Sequence, residues 1–247
     1  GEAGSENMKK TAVITLPDNY SSVGVYTYSF KEIPGKTAGV TYYDKEIKLV
    51  VTVLQGENGR LRVAAVHTEA EDGDKADKFP NEYSAGSLAI AKVVTGNMGD
   101  KEKYFKVTVT LTGEKEKGYA TSYSVTGGSY EENPEIIEIG IPTDFYLKHD
   151  DTITIENLPY GVTYTVAEAD YTKVEEGNDD YDKAAYTLSD GNCKIDSASD
   201  TVTITNNKDM DIDTGVILDN VPYVLILACV FGGMSVFFAK KRSSREK

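Results

Sequence analysis

The feature that most limits the fold of this chain is the alternation of apolar and polar residues in short runs. Apolar residues occupy every second position of 47–53 and of 105–111, and turn-rich segments such as 56–59 and 126–129 separate the runs. Residues two apart share one face of a β-strand, so each run predicts a strand with one buried face. Stretches with helical periodicity are scarce. The pattern therefore predicts an all-β fold built of β-sandwiches.

Charge and cysteine content exclude several functions. The chain holds 40 acidic residues against 26 lysines and arginines, a net charge of −14, so its surface repels nucleic acid. Cys193 stands alone and Cys229 lies in an apolar run, so no disulfide is expected. His67 and His149 have no partner at zinc spacing. The acidic runs at 69–74 and 179–182 could attract calcium, but neither fits an EF-hand loop, and ordinary acidic turns are the simpler interpretation. We expect no metal centre and no cofactor.

The carboxyl end predicts a membrane segment. Residues 221–239 carry no charge, and their length is close to the ~20 residues that a helix needs to cross a bilayer. A basic tail, 240–247, follows at once and is expected to stay in the cytoplasm, with everything before 221 outside the cell. Residues 1–10 lack the apolar core of a signal peptide, so we interpret the chain as a mature form or a fragment.

A weak repeat divides the outer part into two predicted domains. A Tyr-x-x-x-Glu strand ends at Glu32 and is followed by Asn81, and a second such strand ends at Glu168 and is followed by Asn206. We place the boundary at 84–86. The first predicted domain comprises residues 1–83 and the second comprises residues 87–208. A carboxyl-terminal signal is predicted at 211–247.

Three polar residues of the second domain occupy the apolar phase of their strands. They are Lys92, Glu168 and Asn206, and the residues two positions earlier are Ile90, Val166 and Ile204. Burying an isolated charge costs several kcal/mol unless the group becomes neutral or gains a partner. Any one of the three could instead reach solvent from a strand end. Their coincidence favours one shared buried site.

Such a site has a specific chemistry. Burial favours the neutral lysine amine and the neutral glutamic acid. The Lys92 amine could then attack the Asn206 carboxamide, while protonated Glu168 stabilises the carboxamide oxygen and transfers protons as ammonia leaves. These residues therefore predict an autocatalytic Lys92–Asn206 isopeptide bond that needs no cofactor.

Several segments resemble the major (backbone) pilin family of group A streptococci and their Gram-positive relatives. The segments are GVYTY at 24–28, GVTY at 39–42, LAIAK at 88–92, NLPYGV at 157–162, YTVAE at 164–168 and ITNNK at 204–208. The resemblance implies tandem Ig-like (CnaB-type) domains with isopeptide bonds. It assigns Lys92 as the amine, Asn206 as the amide and Glu168 as the catalytic acid.

The resemblance also implies roles in the first domain. Glu32 and Asn81 match the catalytic acid and the amide, but the strand that carries the family's lysine would lie upstream of 12–16. Either that piece is missing or this domain lacks its crosslink. The lysine that joins subunits in the family matches Lys75, with Lys78 as a rival and an ordinary solvated lysine as the alternative.

The Thr214-Gly215 pair, the apolar segment and the basic tail resemble a cell-wall sorting signal read by sortases. Asp213 stands where related pilins have proline, so an uncleaved membrane anchor remains the alternative. Cleavage would join Thr214 to an amine of another subunit or of peptidoglycan. The implied partners are sortase, further copies of the chain, minor pilins, peptidoglycan and host surface ligands.

Three functions compete at this point. The first is a structural pilin subunit at the cell surface, and the second is a monomeric anchored adhesin that uses the same domains as a stalk. The third is a surface hydrolase with Glu32 and Glu168 as paired carboxylates, which their placement in different domains argues against. We expect a structural protein whose only chemistry is its own crosslinking.

Overall fold

The computed structural model describes residues 10–172 and 179–210. The described parts are built of β-strands and one short 3₁₀ helix, Glu57–Gly59, so the predicted all-β class is confirmed. Within those two ranges no helix combines the length and the apolar character required to span a bilayer. The predicted membrane segment at 221–239 and the sorting signal at Thr214-Gly215 lie outside the described residues.

The amino-terminal part, residues 10–84, holds two small antiparallel sheets. Its strands are β1 (Gly24–Phe30), β2 (Val40–Thr41), β3 (Ile47–Gln55), β4 (Leu61–Ala70) and β5 (Glu82–Tyr83). One sheet has the order β1-β3-β4, and β2 pairs with β5 in the other. The central strand β3 buries Leu49, Val51 and Val53, the face that the sequence alternation predicted.

The carboxyl-terminal part, residues 85–210, holds two larger sheets. Its strands are β6 (Ala85–Thr95), β7 (Phe105–Thr112), β8 (Tyr123–Gly127), β9 (Ile136–Ile137), β10 (Thr143–Leu147), β11 (Thr152–Pro159), β12 (Thr163–Glu168), β13 (Ala185–Leu188) and β14 (Ser199–Asn207). One sheet has the order β13-β14-β6-β11-β8-β9, and the other has the order β10-β7-β12. The predicted boundary at 84–86 falls where β5 gives way to β6.

The main core lies between these two sheets. Leu88 and Ile90 of β6 and Ile204 of β14 contribute from one sheet, while Val107 and Phe145 contribute from the other, and all five are fully buried. The odd-numbered residues of β7 are buried from 105 to 111, as the alternation predicted. A strand contributes to such a core only through every second residue, so a polar residue in that phase is forced inward.

The first and last strands of this part lie side by side. β14 pairs with β6 in parallel, with Ile204 opposite Lys92 and Asn206 opposite Val94. This is the only parallel pair of named strands among the described residues. Because Lys92 and Asn206 both point into the core from adjacent strands, their side chains can meet.

The two parts of the chain are joined through backbone hydrogen bonds. Gly118 N donates to Lys36 O at 2.6 Å, and Ala38 N donates to Gly118 O at 2.9 Å. Ser84 N donates to Gly39 O, and Tyr160 N donates to Ser84 O. Three of these bonds attach residues 36–38 and Ser84 of the amino-terminal part to the carboxyl-terminal part, whereas the bond between Ser84 and Gly39 lies within the amino-terminal part.

Candidate functional site

Lys92, Glu168 and Asn206 meet inside the carboxyl-terminal part. The side chain of Lys92 is 0% exposed and that of Glu168 is 1% exposed, and Asn206 is 1% exposed as a residue. Lys92 Nζ donates a hydrogen bond to Asn206 Oδ1 and lies 3.2 Å from Glu168 Oε1. Asn206 Nδ2 donates to Glu168 Oε2 at 2.7 Å. The structure thus brings together all three residues that strand phase placed in the core.

The three side chains come from both sheets. Lys92 and Asn206 belong to β6 and β14 of the six-stranded sheet, whereas Glu168 ends β12 of the three-stranded sheet, opposite Val107. The acid therefore reaches the lysine and the amide from across the core. Because each group sits on a regular strand, the geometry is held by the ladders rather than by a loop.

Aromatic rings surround the lysine. The Phe105 ring lies under Lys92 Nζ, with 4.1 Å between the nitrogen and the ring centroid. Tyr171 and Tyr181 each pack edge-on against Phe105, with ring centroids 4.9 and 5.2 Å away. These rings, together with Val94, form a small buried cluster beside the three polar groups. The cluster keeps water from the amine and lowers the local dielectric.

The two tyrosines were missed by reasoning from the sequence. Tyr171 and Tyr181 flank an acidic, turn-rich stretch and belong to no alternating run, so periodicity gives no reason to bury them. The only signal is the occurrence of large aromatic residues within a segment that is otherwise polar. Tyr171 Oη also accepts the backbone N–H of Lys106 at 2.8 Å, and Tyr181 Oη accepts that of Asp100 at 2.9 Å.

Burial shifts both ionisable groups toward their neutral forms. Desolvation lowers the pKa of the Lys92 amine below that of an ordinary lysine, and the nearby Glu168 carboxylate opposes this shift. Desolvation likewise raises the pKa of the Glu168 carboxyl, opposed by Lys92 and by the hydrogen bond from Asn206. In both cases loss of water is the larger cause. The site therefore favours an uncharged amine next to a protonated acid.

The orientation of the acid differs from the expected one. The predicted mechanism placed Glu168 against the carboxamide oxygen, but its Oε2 faces the amide nitrogen Nδ2, and the oxygen Oδ1 faces Lys92. The acid is therefore positioned next to the nitrogen that would leave as ammonia. Proton delivery to that nitrogen becomes the main chemical task that the geometry assigns to Glu168.

Glu32 and Asn81 form a similar but incomplete pair in the amino-terminal part. Asn81 Nδ2 donates to Glu32 Oε1 at 2.8 Å, and Tyr43 N donates to Asn81 Oδ1 at 2.8 Å. The second oxygen, Glu32 Oε2, is buried and has no hydrogen-bond partner. No lysine of residues 10–172 and 179–210 forms an ion pair or a hydrogen bond with either side chain. The acid and the amide meet without an amine.

We expect the Asn81 carboxamide to remain unreacted, because no amine of residues 10–172 and 179–210 faces it. Peptide mass spectrometry should recover the peptide that contains Asn81 as a linear species with an intact carboxamide. A branched peptide that joins Asn81 to any lysine of this chain would contradict this expectation.

The remaining predicted residues lie apart from these pairs. The Lys75 side chain is 81% exposed and sits 3.7 Å from Asp77, and Lys78 is exposed as well. Both lysines are accessible to an external reagent. Glu32 bonds to Asn81 in the amino-terminal part and Glu168 bonds to Asn206 in the carboxyl-terminal part, so the described structure does not pair the two acids as carboxylates of one hydrolytic site.

Two family models match the chain. Residues 3–84 match the family described as "Spy0128-like isopeptide containing domain", and residues 86–208 match a domain of unknown function, DUF7601. The chain is 29% identical to a curated pilin of Streptococcus pyogenes serotype M1, over 98% of this chain and 75% of that protein.

Two further relatives belong to the same organism. A pilus tip adhesin of Streptococcus pyogenes is 27% identical over 53% of this chain and 18% of its own length. The structure of a major pilin from Streptococcus pyogenes serotype GAS13637 is 28% identical, with a TM-score of 0.55, and the match covers 77% of this chain and 69% of that one. All three relatives are pilus proteins, and the all-β fold fits that class. The chain is similar to the Gram-positive major (backbone) pilins, and this similarity supports a structural pilin subunit.

Proposed function

We propose that this structural pilin subunit forms the shaft of a sortase-assembled fibre and that a self-formed Lys92–Asn206 bond locks its second domain. Similarity to pilins supports a structural, cell-surface protein that associates with other pilin subunits. The observation that carries the crosslink is the buried contact of the Lys92 amine with the Asn206 carboxamide beside Glu168. The two domains, divided near 84–86, are proposed to be tandem Ig-like sandwiches.

The proposed reaction is an amide exchange. The neutral Lys92 Nζ attacks Cγ of Asn206, and the bond between Cγ and Nδ2 breaks. Protonated Glu168 gives its proton to Nδ2 and recovers one from Nζ, so that ammonia leaves and the acid is regenerated. One amide bond forms and one breaks, and no oxidant, cofactor or second enzyme takes part.

Positioning accounts for the reactivity of an otherwise inert carboxamide. Groups held in contact react with an effective concentration far above any attainable in solution, and effective molarities of about 10⁵–10⁸ M are reached in well-oriented cases. The Phe105 ring and the two tyrosines around it exclude water, which favours the neutral amine that attacks and the protonated acid that donates its proton. The folded core therefore supplies the catalysis.

The carboxyl-terminal residues complete the proposal. We infer from the sequence pattern that 221–239 spans the membrane of the precursor and that a sortase cleaves between Thr214 and Gly215. The Thr214 acyl group would then pass to a lysine of a neighbouring copy, to a minor pilin or to peptidoglycan. Contacts with host surface ligands would follow from exposure of the fibre.

Lys75 is the proposed acceptor in the neighbouring subunit, which its exposed side chain supports. In wall extracts, we expect a branched peptide that joins Lys75 of one copy to Thr214 of another. Lys75→Ala should abolish the ladder of covalent multimers on denaturing gels, whereas Lys78→Ala, a change of the same kind three residues away, should leave it intact.

The second candidate function is a monomeric anchored adhesin, which the similarity to a pilus tip adhesin favours. That function predicts a single covalent species in wall extracts and no Lys75–Thr214 peptide.

A ladder that persists in Lys75→Ala but disappears in Lys78→Ala would assign the acceptor role to Lys78 and overturn the assignment to Lys75.

A further inference from the structure

A cluster of three aspartates, one of them buried, lies at the amino-terminal end of β14. The hairpin loop between β13 and β14, residues 189–198, leads into β14, and Asp200 is the second residue of that strand. Carboxylate oxygens of Asp190, Asp196 and Asp200 lie within 4.8 Å of one another. Asp190 and Asp196 are exposed, whereas Asp200 is completely buried. Three acidic groups thus converge on one point at the surface of the core.

Asp200 has one oxygen without a partner. Ser197 Oγ donates to Asp200 Oδ1 at 2.6 Å, but Asp200 Oδ2 is buried and accepts no hydrogen bond. Among residues 10–172 and 179–210, no lysine, arginine or histidine forms an ion pair with Asp190, Asp196 or Asp200. A buried carboxylate in this state is unfavourable unless it takes up a proton or gains a cation.

The pKa shifts around the three aspartates also favour binding of a cation. Desolvation raises the pKa of the Asp200 carboxyl, and repulsion from Asp190 and Asp196 adds to the shift. The pKa of the neighbouring Tyr164 phenol is raised by its own burial first and then by the negative field of Asp200. A divalent cation held by the three carboxylates would neutralise this field, because its charge acts on all of them at once.

We propose that Asp190, Asp196 and Asp200 form a binding site for one calcium ion. Calcium takes six to eight oxygen ligands in flexible geometry, so three carboxylates with added water or carbonyl oxygens suit it better than a transition metal, which prefers nitrogen and sulfur. The loop is already ordered by its own side chains, since Asn192 N donates to Asp190 Oδ1 and Lys194 N donates to Asn192 Oδ1. Calcium binding would thus require little rearrangement.

The site was not visible in the sequence. The three aspartates are spaced irregularly, and the acidic runs that stood out, 69–74 and 179–182, lie elsewhere. The β13–β14 hairpin brings Asp190 and Asp196 next to Asp200. The ion would fasten the start of β14, while the Lys92 contact fastens Asn206 near its end. Calcium would therefore stabilise the strand at the end that the proposed bond leaves free.

Calcium binding can be tested on the full chain by isothermal titration in a constant background of magnesium. Terbium luminescence excited through Tyr164, whose Oη donates to Asn192 O at 3.2 Å, gives a second readout close to the site. We expect one ion per chain. Asp190→Asn and Asp196→Asn should each weaken calcium binding by at least about tenfold, since each removes one charged ligand. Both positions are exposed, so neither variant should compromise folding.

Asp72→Asn is the matched control, because Asp72 is also an exposed loop aspartate whose carboxylate accepts a backbone N–H, here from Asp74. It should bind calcium as the unmodified chain does. Absence of saturable binding would overturn the proposal. Equal affinity in Asp196→Asn and the unmodified chain, or an equal loss in Asp72→Asn, would overturn it as well, because the ion would then be attracted by acidity in general.

Discussion

Glu168→Gln is expected to lower the melting temperature of the carboxyl-terminal part by about 10–20 °C, because the chain would stay uncrosslinked. Lys92 and Asn206 are 114 positions apart, so their bond closes nearly the whole of this part into one loop. A crosslink around a loop of about 100 residues stabilises a fold by about 4.7 kcal/mol in the chain-entropy model. For a domain of this size, that free energy corresponds to the stated shift. Thermal unfolding followed by circular dichroism measures it.

A second variant separates the crosslink from the cost of a buried charge. Lys92→Met removes the amine but keeps a flexible side chain of similar length in the same position, and burial raises the pKa of the remaining Glu168 carboxyl and so favours its neutral form. It should melt at a temperature close to that of Glu168→Gln. Melting of Lys92→Met at the temperature of the unmodified chain would mean that no stabilising bond is present.

The same acid controls whether the bond forms at all. We expect the unmodified chain to be lighter than its sequence mass by one ammonia and Glu168→Gln to have the full sequence mass. Removing a general acid typically slows a reaction by about 10²–10⁴-fold, and glutamine cannot protonate the leaving nitrogen. Intact mass measured at intervals after refolding gives the rate as well as the end point.

Glu156→Gln serves as the control for this measurement. Glu156 lies on β11, is exposed and bonds only to Thr126 among the described residues, at 3.4 Å. This variant should lose one ammonia as the unmodified chain does. Complete loss of ammonia in Glu168→Gln would contradict the assigned role of the acid, and full sequence mass in the Glu156 variant would show that the effect is not specific.

The strand pattern of the sequence predicted much of the site. Lys92, Glu168 and Asn206 lie in apolar phase, and because a sheet has only two faces, this coincidence favoured a shared buried site over three strand-end residues that reach solvent. The alternation of residues does not predict that β6 and β14 are neighbours, because strands far apart in sequence can be arranged in many orders within a sheet. That adjacency follows from the strand order of the six-stranded sheet. The resemblance to pilins linked the two strands before their pairing was known.

Other parts of the site depend on contacts that no periodicity records. Tyr171 and Tyr181 pack against Phe105, and neither belongs to an alternating run whose phase would predict its burial. The orientation of the Asn206 carboxamide could not be predicted from the sequence either, because the same side chain can present its oxygen or its nitrogen to Glu168. In the amino-terminal part, Glu32 and Asn81 lie in contact, as their matched roles in the pilin resemblance implied.

The central claim, a covalent bond between Lys92 and Asn206, is tested most directly by sequencing the peptides of the digested, denatured chain. We predict a branched peptide in which the Lys92 segment is joined to the Asn206 segment, with the mass of both segments less one ammonia. Recovery of two linear peptides, with a free Lys92 amine and an intact Asn206 carboxamide, would contradict the account. The buried contact would then be an ordinary polar cluster within a pilin fold.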